Sequence, residues 1–97
     1  MRINISNRAR AEIRGISSYI EADSLYYAEK TANDIYDKIK LLEFQPYMGR
    51  KVQPYNQDDL RELIYKSYRV IYKIKTDHIR ILRVMSCYQD LTSNFQN

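Results

Sequence analysis

Three strand-like segments crowd into the stretch from Leu60 to Met85, and the links between them have room only for hairpins. Leu60-Arg61-Glu62-Leu63-Ile64-Tyr65 is followed, after Lys66-Ser67, by Tyr68-Arg69-Val70-Ile71-Tyr72-Lys73-Ile74. Lys75-Thr76-Asp77 then leads into His78-Ile79-Arg80-Ile81-Leu82-Arg83-Val84-Met85. The segments are rich in β-branched and aromatic residues, which suit a pleated, half-buried surface. Parallel neighbours would need crossovers of a dozen residues or more, so these strands must run antiparallel. The expectation is a three-stranded meander with strands at 60–66, 68–75 and 78–86. A sheet with one apolar face needs a second layer to cover it.

The residues before it supply that layer. Ile3 and Ile5 alternate with polar residues and predict a short strand at 2–5. Ser6 can cap a helix whose apolar stripe is Ala9, Ile13, Ile16 and Ile20. Gly15 interrupts that helix at a cost of roughly 1 kcal/mol against alanine, and a glycine there can allow close helix approach. Asp23 or Ser24 can cap a second helix, with Leu25, Ala28, Ala32, Ile35, Ile39 and Leu42 recurring at spacings of three and four. Helices at 7–22 and 24–43 joined by so short a link form an antiparallel hairpin. Phe44 to Asn56 is irregular, punctuated by Pro46, Gly49 and Pro54. The expected class is α+β, a single domain over residues 1–97 with a flexible tail at 92–97.

Charge placement narrows the partners. The net charge is +4, yet residues 1–45 are neutral, so the whole excess lies in residues 46–97. A basic half on a neutral scaffold suits an anionic partner, either nucleic acid or an acidic protein segment. One cysteine, Cys87, excludes an internal disulfide and points to a reducing compartment, the cytoplasm. No apolar run is long enough to cross a bilayer, so no membrane partner is expected. Ten tyrosines and no tryptophan suit amphipathic sites at the margins of a small core.

Few chemistries are provisioned. One cysteine and one histidine cannot build a structural zinc site. Two glycines cannot make a phosphate-cradling loop. Asp58, Asp59 and Glu62 read as a solvated acidic patch. No cofactor or metal is expected. His78, at the hairpin turn, reads as an exposed turn residue rather than a base.

Strand alternation assigns the cations to a face. If the last hairpin closes around Thr76 and Asp77, Arg80 lies opposite Lys73 and Arg69 opposite Val84. Tyr68, Val70, Tyr72, Ile74, Ile79, Ile81, Arg83 and Met85 then face the helices. Ile71, Leu82 and Val84, framed by Arg69, Lys73 and Arg80, face outward. Such a mixed face suits a partner that is both acidic and apolar.

This order of elements, with Phe44-Gln45-Pro46-Tyr47-Met48-Gly49-Arg50, Leu60-Arg61-Glu62-Leu63 and Tyr68-Arg69-Val70-Ile71-Tyr72, resembles the ParE/RelE family of toxins from bacterial type II toxin–antitoxin systems. The resemblance runs from Ile3 to about Leu91. It implies a cytoplasmic toxin neutralised by a cognate acidic antitoxin, which contacts operator DNA in its own right. The antitoxin contact is then expected at Arg69, Ile71, Lys73, Arg80, Leu82 and Val84. The long helical hairpin and the Pro-x-x-Gly-Arg loop look like the ParE branch, whose members are described as non-enzymatic inhibitors of DNA gyrase. On that reading Arg50, Lys51 and Tyr88 contact the target. At the branch's usual His-Gly-x-Arg-Asp turn this chain has Ser86, Cys87, Tyr88, Gln89 and Asp90, of which Asp90 alone matches. Two alternatives stay open. One is a RelE-like, ribosome-dependent mRNA endonuclease using Arg61, Arg69, Arg83 and Tyr88. The other is a toxin-like fold that retains antitoxin binding alone.

Overall fold

The computed structural model describes residues 1–89. The elements in chain order are β1 (Arg2–Ile5), α1 (Asn7–Glu21), α2 (Leu25–Leu41), β2 (Arg50–Lys51), β3 (Leu60–Tyr65), β4 (Tyr68–Ile74) and β5 (His78–Ser86). The class is α+β: a helical hairpin covers one face of a five-stranded sheet ordered β1-β5-β4-β3-β2. The expected meander forms the sheet's centre. β1 adds to it in parallel, Ile3 beside Ile79 and Ile5 beside Ile81. β2 adds antiparallel at the other edge, Arg50 opposite Glu62. The flexible tail expected at 92–97, along with Asp90 and Leu91, lies outside the described residues.

Local chemistry fixes the helix starts. Ser6 Oγ accepts the Ala9 N–H at 3.0 Å and donates to the Leu82 carbonyl at 3.1 Å, tying the start of α1 to β5. Ser24, rather than Asp23, caps α2, accepting the Tyr27 N–H at 3.2 Å. Ala9, Ile13, Ile35, Ile39 and Leu42 meet Leu63, Val70, Tyr72, Ile79, Ile81 and Val84 in the main core. Leu25, placed on the apolar stripe by its spacing, is 58% exposed and so stands outside the core. A Cβ at Gly15 would meet nothing within 4 Å, so this glycine serves no close helix approach.

The β4–β5 register departs from the expected alternation. Ile74↔Ile79, Lys73↔Arg80 and Tyr72↔Ile81 pair as a closure at Thr76-Asp77 requires. The ladder then shifts between Ile71 and Tyr72, leaving Leu82 without a partner, so Ile71 faces Arg83, Val70 faces Val84 and Arg69 faces Met85. Such a bulge reverses the side-chain alternation beyond it. Val84 therefore joins the helix-side core and Met85 the opposite face, the reverse of the sequence expectation.

The opposite face has its own small core. Val52, Leu60, Ile71, Leu82 and Met85 cluster there, all buried. The segment after β2 lies over them, held by Val52 N–H to the Leu60 carbonyl at 3.1 Å and Asn56 N–H to the Val52 carbonyl at 2.9 Å. Ile71 and Leu82 thus stay buried through intramolecular cover, not through a partner. The outward docking triad of Ile71, Leu82 and Val84 does not exist as a surface. Ile71 is 0%, Leu82 4% and Val84 1% exposed.

Candidate functional site

Removing those aliphatics leaves the cations. Arg50 on β2, Glu62 on β3 and Arg69 on β4 lie side by side across the sheet, because Arg50↔Glu62 and Ile64↔Arg69 are register neighbours. Glu62 is not part of a solvated acidic patch, as its sequence context suggested. It is 4% exposed and both of its oxygens are used. Oε2 accepts from Arg50 Nε at 2.9 Å, and Oε1 accepts from Arg69 Nε at 2.7 Å. A second contact joins Arg69 Nη2 to Oε1. A buried carboxylate requires such pairing, since an uncompensated charge there costs several kcal/mol.

Above this floor opens a cleft of about 570 Å³, lined by Arg50, Lys51, Gln53, Asn56, Ile64 and Cys87 together with Glu62 and Arg69. Three cations against one carboxylate leave its lining net positive. The Arg50 side chain is 70% exposed and the Arg69 side chain 14%, so Arg50 presents its charge and Arg69 anchors the floor. Tyr88, 89% exposed, follows Cys87 at the rim. The expected target contacts Arg50 and Lys51 therefore meet Arg69 in one cleft, with Tyr88 next to it in sequence.

The other named arginines are elsewhere. Arg61 donates to the Gly49 carbonyl at 2.8 Å and to Asp58 Oδ1 at 2.8 Å, and lies over the Tyr47 ring at 5.0 Å. It braces the Pro46–Arg50 loop. Tyr72 does so from within the core. Its hydroxyl accepts from Gly49 N–H at 3.0 Å and donates to the Pro46 carbonyl at 2.8 Å. Burial pushes the Tyr72 hydroxyl's pKa up, partly offset by the Gly49 N–H. Arg83 meets Glu12 of α1, Nε to Oε2 at 2.9 Å. Glu12 Oε1 also accepts the Val84 N–H at 2.9 Å. β1 ends beside Ile81, so this carboxylate occupies a β5 edge donor that would otherwise be open. Lys73 lies 3.7 Å from Asp59, and Arg80 hydrogen-bonds Asn4 on β1. His78 hydrogen-bonds Asp77 at 2.8 Å, at the turn end of the β4–β5 hairpin.

A second opening, about 360 Å³, runs between α1 and the free part of β5, lined by Gly15, Ile16, Tyr19, Tyr68, Val84 and Met85 among others. No pattern in the chain signals it, since Tyr19 and Tyr68 line one opening through the tertiary fold alone. The pairing of Arg50 with Glu62 was equally hidden, because β2 is two residues long. Among the described residues no group of His, Cys, Asp and Glu is arranged to hold a metal ion, and no helix is long and apolar enough to cross a membrane.

Fold and cleft together define a small α+β domain that presents arginines on the sheet face turned away from a helical hairpin. The family model for the ParE toxin of the type II toxin–antitoxin system parDE matches residues 3–91. The chain belongs to the ParE toxin family of type II toxin–antitoxin systems. Solved structures share the fold. The chromosomal ParDE toxin–antitoxin system from P. aeruginosa superposes with a TM-score of 0.74 at 22% identity, covering 89% of this chain and 95% of that one. The YoeB dimer from Staphylococcus aureus gives 0.63 at 18% identity, covering 91% and 98%. The RelBE2 toxin–antitoxin complex from Mycobacterium tuberculosis gives 0.54 at 18% identity, covering 88% and 95%. No curated protein sequence matches the chain.

Proposed function

We propose that this toxin acts by binding rather than by cleaving RNA, that its target is DNA gyrase, and that a cognate acidic antitoxin neutralises it in the cytoplasm. The observation that carries the non-enzymatic reading is where the arginines are held. Transition-state stabilisation needs donors converging on one reacting phosphate. Here Arg69 is held by Glu62, Arg61 by Asp58 and the Gly49 carbonyl, and Arg83 by Glu12. These anchors hold the three in different places. Tyr88 lies exposed beyond the end of β5.

The family membership supports the antitoxin and the ParE-type target. Operator DNA would be contacted through the antitoxin. The antitoxin's acidic residues would meet Arg69 and Arg80 on the sheet, and its apolar residues the groove along α1. The test is inhibition of supercoiling by purified gyrase. Micromolar toxin should inhibit, and Arg50→Glu should lose most of that inhibition. Cleavage of mRNA in a translating extract, removed by Arg69→Ala or Tyr88→Phe, would replace this reading with the ribonuclease one.

A further inference from the structure

We propose that the outer-face cleft is a binding site for a small phosphate monoester, gripped by Arg50, Lys51 and Arg69. This goes beyond the gyrase reading, since it concerns a free small molecule and stands whatever the protein target is. Glu62 builds the site from below. Arg50 and Arg69 stand on the strands either side of β3, where two guanidinium groups alone would repel each other. The buried carboxylate between them holds both in place before any ligand arrives, which lowers the ordering cost of binding. Arg50 gives Glu62 its Nε and keeps Nη1 and Nη2, on a side chain 70% exposed, for the cleft. Arg69 gives Nε and Nη2 and keeps Nη1 at the floor. Lys51 lines the same cleft, and among the described residues its ammonium has no ion-pair partner. Three cations less one carboxylate leave two positive charges unbalanced. A phosphate monoester carries about that much negative charge near pH 7, on three acceptor oxygens. Guanidinium forks match those oxygens. A phosphodiester has a single charge and a substituent on both sides, so it brings no free end to Arg69, whose side chain is 14% exposed. The volume of about 570 Å³ is in the range of small-molecule sites. Ile64, 40% exposed, gives the organic part an apolar wall, and Gln53 and Asn56 give it amides.

The experiment is an amide NMR titration of the protein with AMP, with adenosine and the phosphodiester adenylyl adenosine as comparisons. AMP should move the resonances of Lys51, Arg69 and Cys87 and saturate at about millimolar concentration or below. Inorganic phosphate should compete with it. Adenosine should move nothing, and the diester should bind about ten-fold more weakly than AMP. Arg50→Gln and Lys51→Gln should each weaken AMP about ten-fold, the range for losing a charge-assisted hydrogen bond. Lys40→Gln takes the same charge from α2 and should leave the affinity within about two-fold, since the site and not the net charge does the binding. Glu62 keeps Arg69 as a partner in Arg50→Gln; should that variant still not fold, Lys51→Gln decides. The proposal is overturned if AMP leaves those resonances unmoved, if the diester binds as tightly, or if Lys40→Gln loses as much as Lys51→Gln. Gyrase inhibition is read separately, so failure of the target assignment leaves these outcomes intact.

Discussion

Gly49 shows how one residue position holds the cleft in place. A Cβ there would stand 2.6 Å from the Tyr72 hydroxyl and 2.7 Å from the Glu62 carbonyl oxygen. The second neighbour is backbone and cannot step aside. The loop can therefore lie this close to β3 and β4 only with glycine, and that closeness brings Arg50 beside Glu62. Gly49→Ala should cost about 2 kcal/mol, the range for overfilling a well-packed site. Urea unfolding would show it as a lower midpoint with an unchanged slope. A midpoint equal to wild type would mean the loop can lift off Tyr72 without cost. The glycine was legible in sequence as a loop marker. Its partner was not, since Tyr72 is twenty-three positions away.

At the scale of elements, α2 is latched to β3 by one hydrogen bond with a pH signature. The Tyr65 hydroxyl donates to Asp34 Oδ2 at 2.6 Å, and Lys30 pairs with the same carboxylate at 3.2 Å. Burial first, then the Asp34 contact, pushes the Tyr65 hydroxyl up to about 12. The hydrogen bonds from Tyr65 and then Lys30 hold the Asp34 carboxyl below its ordinary value. The folded chain thus holds the Tyr65 proton more tightly than the unfolded chain. The latch contributes fully below the ordinary tyrosine value near 10 and is lost as pH rises from there to about 12. Asp34 acts with the opposite sign. Its contribution is present above the ordinary carboxylate value and is lost as pH falls through the depressed one. Melting temperature should therefore fall between pH 10 and 12, and Tyr65→Phe should flatten that fall. An identical alkaline profile in the variant would remove the latch from the account. Periodicity is blind to a polar pair between two apolar surfaces.

For the whole molecule, the charge asymmetry seen in the chain is realised as a face. Arg50, Lys51 and Arg69 line the cleft, while the helical hairpin carries balanced charge. Electrostatic complementarity at such a face acts mainly on association rate and salt dependence. Arg69→Glu should thus weaken antitoxin binding strongly, because it also leaves Glu62 facing a like charge. Arg80→Glu, at the β1 side, should reduce the association rate about ten-fold or less, in line with steering. Surface plasmon resonance at two salt concentrations would separate the two. Unchanged affinity in both variants would move the contact to the groove along α1. By itself the sequence determined the α+β class, the order of short strand, helical hairpin and meander, the Ser6 cap and the basic half, because each is written in local spacing and composition. Tertiary structure alone decided three things. The unpaired Leu82 reversed which β5 side chains face the helices, since alternation carries no record of a bulge. The segment after β2 buried Ile71 and Leu82, since cover by an irregular loop has no period to read. Glu62 came to lie between two guanidinium groups, since a two-residue strand gives no pattern and an ion pair is a matter of distance, not of sequence.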